Sequence, residues 1–142
     1  QILDVAAGVA HSCVTTNFGN MFTWGDNTRG QLGDGSMAPS SAPVLLGSLK
    51  NVRAVSASTA TAAMCSDGAV LAWGFHGHHL PFRIQGQYAS LIALCDDTLC
   101  IVGMGGQLTL HQLGVPDARL ALADSNVRGI AASMGHVVAL RQ

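Results

Sequence analysis

Val5-Ala6-Ala7-Gly8 returns three times along the chain, as Val55-Ser56-Ala57-Ser58, Ile92-Ala93-Leu94-Cys95 and Ile130-Ala131-Ala132-Ser133. The steps between copies are 50, 37 and 38 residues. A period in this range marks stacked supersecondary units rather than one irregular core. The residues around each copy are related too: Asn51-Val52-Arg53-Ala54-Val55 recurs 75 residues later as Asn126-Val127-Arg128-Gly129-Ile130. Alternating apolar residues here predict a first strand. A second strand is expected over His11 to Thr16, Ala60 to Cys65 and Thr98 to Gly103. Each ends in a glycine turn, Phe18-Gly19, Asp67-Gly68 or Gly105-Gly106. These glycines supply the positive φ that a tight hairpin requires.

A third strand leaves each turn: Met21-Phe22-Thr23-Trp24-Gly25, Val70-Leu71-Ala72-Trp73-Gly74 and Leu108-Thr109-Leu110-His111. Trp24 and Trp73 are equivalent, and His111 takes that place in the third unit. A short fourth strand starts near a proline, at Pro43, Pro81 and Pro116, a residue tolerated at the start of an edge strand. The last unit supplies His136 to Leu140 and stops. Four short antiparallel strands per unit of about 40 residues describe a β-propeller blade. The chain is therefore expected to be all-β, with units at 1–50, 51–87, 88–125 and an incomplete 126–142: about three and a half blades. Small residues in the repeated phrase suit the inner strand, where blades crowd together.

Composition excludes the alternative, a helical repeat. Charged residues are 11%, all eight acids are Asp, and Lys50 is the single lysine, so the usual coat of exposed helices is missing. Seventeen glycines point to many turns. A net charge of −1 provides no footprint for nucleic acid or an anionic membrane. No apolar run reaches the length of a membrane helix. Cys13, Cys65, Cys95 and Cys100 form no C-x-x-C pair and read as buried thiols, which favours a reducing, intracellular setting. The chain begins at Gln1, so a targeting signal further upstream stays open.

The first unit reads Val5-Ala6-Ala7-Gly8, His11-Ser12, Phe18-Gly19, Trp24-Gly25-Asp26-Asn27 and Gly30-Gln31-Leu32-Gly33 in order. This resembles the repeat of the regulator of chromosome condensation family. The second unit keeps Asp67-Gly68 and Trp73-Gly74, the third is degenerate, and the fourth keeps Ile130-Ala131-Ala132 and His136. The resemblance implies a seven-bladed propeller, of which this chain is expected to be a segment, with the remainder in the same longer polypeptide. It also implies a protein-interaction scaffold or regulatory binding module. The alternative it carries is guanine-nucleotide exchange on a Ran-like small GTPase.

Recurring positions are assigned to structure: Gly8, His11, Gly19, Trp24, Gly25, Gly30, Gly33, Gly68, Trp73, Gly74, Gly106 and His136. The units differ most between the third and fourth strands, where the first carries a long loop from Asp26 to Ala42. Insertions of this kind map to one face of a repeat array and often bind. Asp26, Arg29, Asp34, Ser36 and Met37 are the candidate contact residues, with the tip from Gly35 to Ser41 expected to be the freer part. Gly33-Asp34-Gly35 lacks the Lys-Ser/Thr of a phosphate loop. His76, His78 and His79 cluster locally, but no Cys or carboxylate flanks them closely, so no metal is assigned. No catalytic constellation is present: Ser12 and His11 are strand neighbours that point to opposite faces, and Asp96-Asp97 has no partnered acid. No cofactor is assigned.

Overall fold

A computed structural model describes residues 1–116, 118–122, 126–133 and 135–141. Every regular element among them is a strand: β1 (Ile2–Ala7), β2 (His11–Thr16), β3 (Met21–Gly25), β4 (Ser40–Leu45), β5 (Val52–Ala57), β6 (Thr61–Cys65), β7 (Ala69–Trp73), β8 (Phe82–Cys95), β9 (Thr98–Gly103), β10 (Leu108–Gln112), β11 (Arg119–Ala121), β12 (Val127–Ser133) and β13 (His136–Arg141). They pair antiparallel in chain order, as β1-β2-β3-β4, then a continuous ladder from β5 to β11, then β12-β13. This is the architecture of consecutive propeller blades. The fourth strand of the first unit begins at Ser40, so Pro43 lies inside an edge strand, within a register break of its pairing to β3.

The continuous ladder consists of two four-stranded units that share β8. Phe82 and Arg83 pair with Ala72 and Leu71, but the next partner of β7 is Tyr88. Residues 84–87 bulge out between them, with Gly86 at φ 69°. From Ala89 onward the same strand pairs with β9. One run of chain thus closes the second unit and opens the third.

A single joint recurs between units. The hairpin glycine of each unit accepts a hydrogen bond from the first residue of the next inner strand: Val52 N to Gly19 O at 3.1 Å, Ala89 N to Gly68 O at 2.7 Å, and Val127 N to Gly106 O at 3.1 Å. Asn51 and Asn126, just before two of these donors, both adopt positive φ, 57° and 79°. Asparagine tolerates that conformation better than other side chains. The near-identity of the two Asn-Val-Arg stretches therefore has a backbone reason. Inner strands also bond to each other: Ser56 Oγ accepts Leu94 N at 2.9 Å and Ser58 Oγ accepts Asp96 N at 3.0 Å.

Three apolar layers lie between successive sheets. Cys13, Met21 and Leu46 meet Val55, Ala63 and Trp73. Ala62, Met64 and Val70 meet Leu94, Leu99 and Ile101. Cys100, Val102 and Leu108 meet Val127, Ile130 and Val137. Successive residues of β6 and β9 serve opposite layers, Ala62 one and Ala63 the other, Leu99 one and Cys100 the other. A strand buried on both faces reads as a continuous apolar run, which accounts for Thr61-Ala62-Ala63-Met64 and Leu99-Cys100-Ile101-Val102. Burial pushes the Cys13 thiol up to about 12 and the Cys100 thiol to about 11.

Candidate interaction face

The loop between β3 and β4 is built around Asn27, whose side chain is fully buried. Its Oδ1 accepts Leu32 N at 3.0 Å, and its Nδ2 donates to Ser36 O at 3.1 Å and Ala38 O at 3.0 Å. One amide thus ties both limbs of the loop together. Asp26 accepts from Thr28 Oγ1 at 2.8 Å and from Gln31 Nε2 at 2.7 Å; these bonds, Thr28 foremost, hold its carboxyl below the usual range. Asp34 accepts Ser36 N at 2.9 Å. Burial pushes the Asp34 carboxyl up, but its bonds from Ser36 and Asn27 outweigh this and leave it lowered. Gly35 N donates to His79 O at 3.0 Å. The segment 35–41, which sequence reasoning left freer, is therefore fastened at several points. Of the candidates, Arg29, Asp34 and Met37 are exposed, Met37 by 52%.

Gly30-Gln31-Leu32-Gly33 clasps the second unit. Gln31 O accepts both Trp73 Nε1 at 2.9 Å and Thr61 Oγ1 at 2.7 Å, and Leu32 is fully buried. A Cβ at Gly33, where φ is +75°, would stand 2.5 Å from Trp73 Nε1. Thr61 spends its proton on Gln31, so its oxygen accepts from His11 Nε2 at 2.8 Å, which sets the Nε2–H tautomer. Burial lowers the His11 pKa, against the attraction of Asp26. His11 and Trp73 thus act as fastenings between units. Trp24, the equivalent of Trp73, is half-buried, and His136 is exposed.

Arg29 reaches across to the third unit. Its Nη2 lies 3.0 Å and 3.3 Å from the two carboxylate oxygens of Asp97, and Thr59 Oγ1 donates to Asp97 at 3.1 Å. The turns after β1, β5 and β8 and the loops after β3 and β7 all lie at one end of the sheets by the up-and-down order of the strands. Arg29, Thr59 and Asp97 bring three units together there. The pair is exposed enough to contribute little stability; its effect is to set the loops in register. Sequence reasoning missed Asp97 and Thr59, although turns at matched repeat positions must share an end. The three histidines of the β7–β8 loop diverge: His78 lies between Phe75 and Phe82 with ring centroids 4.9 Å and 5.1 Å apart and the rings tilted by 43°, His79 lies against Gly30 and His76 against Gly114. Among the described residues no three His, Cys or Asp side chains converge as metal ligands.

Two family models described as the Regulator of chromosome condensation (RCC1) repeat match residues 19–63 and 2–31. The Protein RCC2 homolog of Xenopus laevis is 38% identical over 79 residues, covering 52% of this chain and 15% of its own length. The human E3 ubiquitin-protein ligase HERC2 is 34% identical over 79 residues, again 52% of this chain but 2% of its own. The chain therefore spans a small part of the curated relatives it matches. Among solved structures, human WBSCR16 superposes with a TM-score of 0.85 at 19% identity, covering 99% of this chain and 45% of that one. Prp20p from Saccharomyces cerevisiae superposes with a TM-score of 0.80 at 15% identity, covering 95% and 42%. At these identities the structures speak to fold, and the fold agrees with the repeat motifs: residues 2–63 match the regulator of chromosome condensation (RCC1) repeat, and the later sheets continue the same architecture.

Proposed function

We propose that the chain is a regulatory protein-binding module that presents its loop end to a partner protein. The observation that carries this is the tie from Arg29 to Asp97 and Thr59, which assembles loops of three units into one ordered surface. Thr28 is exposed next to Arg29 in the chain, and Met37 and Leu80 are exposed in the loops after β3 and β7. Within that reading the blade units run approximately over 1–50, 51–87, 88–125 and an incomplete 126–142. The relatives support a binding role: the Prp20p structure was described with its binding to Gsp1p and histones, and another structure holds yeast RCC1 (Prp20) bound to Kap60. Affinity capture with the full-length protein tests the proposal. Arg29→Gln combined with Met37→Asp should reduce the captured partner at least fivefold while leaving the melting temperature within a degree or two. Unchanged capture removes the loop end from consideration.

The second reading is guanine-nucleotide exchange on a Ran-like small GTPase, suggested by the likeness to Prp20p. Exchange needs no bond-making residue, since contact alone can loosen a bound nucleotide. Release of labelled GDP from loaded Ran, with the full-length protein added at micromolar concentration, decides it. A rate equal to the intrinsic one excludes exchange.

A further inference from the structure

We propose that the cleft between the second and third units seats a peptide of a partner protein, one carrying an apolar side chain close to a carboxylate. This inference rests on the protein-binding reading but assigns a different surface from the loop end.

The two inter-unit junctions are built differently. Trp73 and His111 occupy one repeat position, each five residues after its hairpin glycine, Gly68 or Gly106. Trp73 pairs across its hairpin with Thr61, and His111 with Leu99. Between units one and two, the peptide segment Gly30 to Gly33 covers Trp73, buries Leu32 and accepts the indole N–H on Gln31 O. Between units two and three the aromatic is replaced by the smaller His111, and the loop after β7 is too short to repeat the clasp. Phe75 fills only the part against Leu99 and Leu113. A cleft of about 770 Å³ is left over.

Its surfaces describe the occupant. The tilted rings of Phe75, His78 and Phe82, in contact in that order, form one wall and Val115 part of the other, which suits an apolar side chain. His111 Nε2 is buried without a hydrogen-bond partner, where the equivalent Trp73 nitrogen has Gln31. Arg119 borders the cleft and makes no ion pair with the described residues. Arg119 is the cationic side chain of the described lining and favours an anionic group. Burial first, and then Arg119, lower the His111 pKa; His111 is thus a neutral imidazole at pH 7, and Arg119 supplies the charge. The rim is open, with Phe82 and Val115 about half exposed. An open trough accepts one side chain of a polypeptide that continues into solvent; a small metabolite calls for a more enclosed site. The precedent is internal: the segment seated at the first junction places Leu32 two residues before Asp34.

Panning a phage-displayed library of random nine-residue peptides on the full-length protein tests this. Enriched peptides should carry Leu, Ile or Phe within two positions of Asp or Glu. Their affinity should fall at least tenfold in Arg119→Gln, an exposed side chain whose loss leaves the fold intact, and in His111→Trp, which restores the repeat's usual residue and fills the cleft. No enrichment, enriched peptides without a carboxylate, or affinities indifferent to Arg119→Gln overturn the proposal. Partner capture that depends on Arg29 and Met37 but tolerates His111→Trp, with no peptide enriched, overturns the cleft and leaves the loop-end reading standing.

Discussion

Individual residues here are chosen for the neighbour in the next unit. Gly33 combines positive φ with a Trp73 nitrogen where its Cβ would stand. Gly33→Ala should cost more than about 1 kcal/mol, read as a lower midpoint in urea. Trp73→Phe keeps the apolar body and removes the donor to Gln31, so it should cost about 1 kcal/mol. Asn27→Ala strands the amide of buried Leu32 and the carbonyls of Ser36 and Ala38, a loss of about 1–3 kcal/mol; limited proteolysis should then cut within 35–39, where the parent resists. His11 sets a pH dependence. Its folded pKa lies below the ordinary 6.5, so the unfolded chain takes up the proton first and stability declines as pH falls from about 6.5 toward the folded value. His111 acts in the same direction. Asp26 and Asp34, held below 3.8, lose their contribution only in the more acid window beneath that value. Melting curves between pH 7.5 and 5 should show the decline, and His11→Asn should flatten it.

Among the elements, the strands announce themselves and their connections do not. Hairpin glycines and the alternation of apolar residues place β2, β3, β6, β7, β9 and β10 directly. The Asn-Val-Arg repeat marks the entry to β5 and β12, and its backbone meaning is testable: Asn51→Gly should be nearly neutral, whereas Asn51→Ala should cost about 1 kcal/mol or more. The fused strand β8 was hidden because a proline at 81 and a glycine at 86 read as two separated strands. Pairing on both edges overrides that local signal and absorbs the excess as a bulge. The fastening of segment 35–41 was equally unreadable, since Ser and Pro suggest a mobile tip and nothing local reveals that one buried amide gathers it. The Arg29–Asp97 pair joins residues 68 positions apart, which only the stacking order of the units brings together.

For the molecule as a whole, stability is close to a sum of unit and junction terms. Sheets two and three are covered on both faces, whereas β1 exposes Ile2, Leu3 and Val5, and β13 exposes Val138 and Leu140. Amide exchange in the 142-residue chain should accordingly be slowest in β6, β7 and β9 and fastest in β1, β12 and β13. Equal protection throughout would contradict a stack held by neighbour contacts. The joint between hairpin glycine and inner strand has a longer-term consequence. It spans 33 residues from Gly19 to Val52 but 21 from Gly68 to Ala89 and from Gly106 to Val127, yet the same backbone hydrogen bond closes it each time. The length of chain between those two points is not fixed by the joint. Insertions and deletions can accumulate there over evolutionary time, and whole units can be duplicated or lost by recombination, without disturbing the angle at which one sheet meets the next.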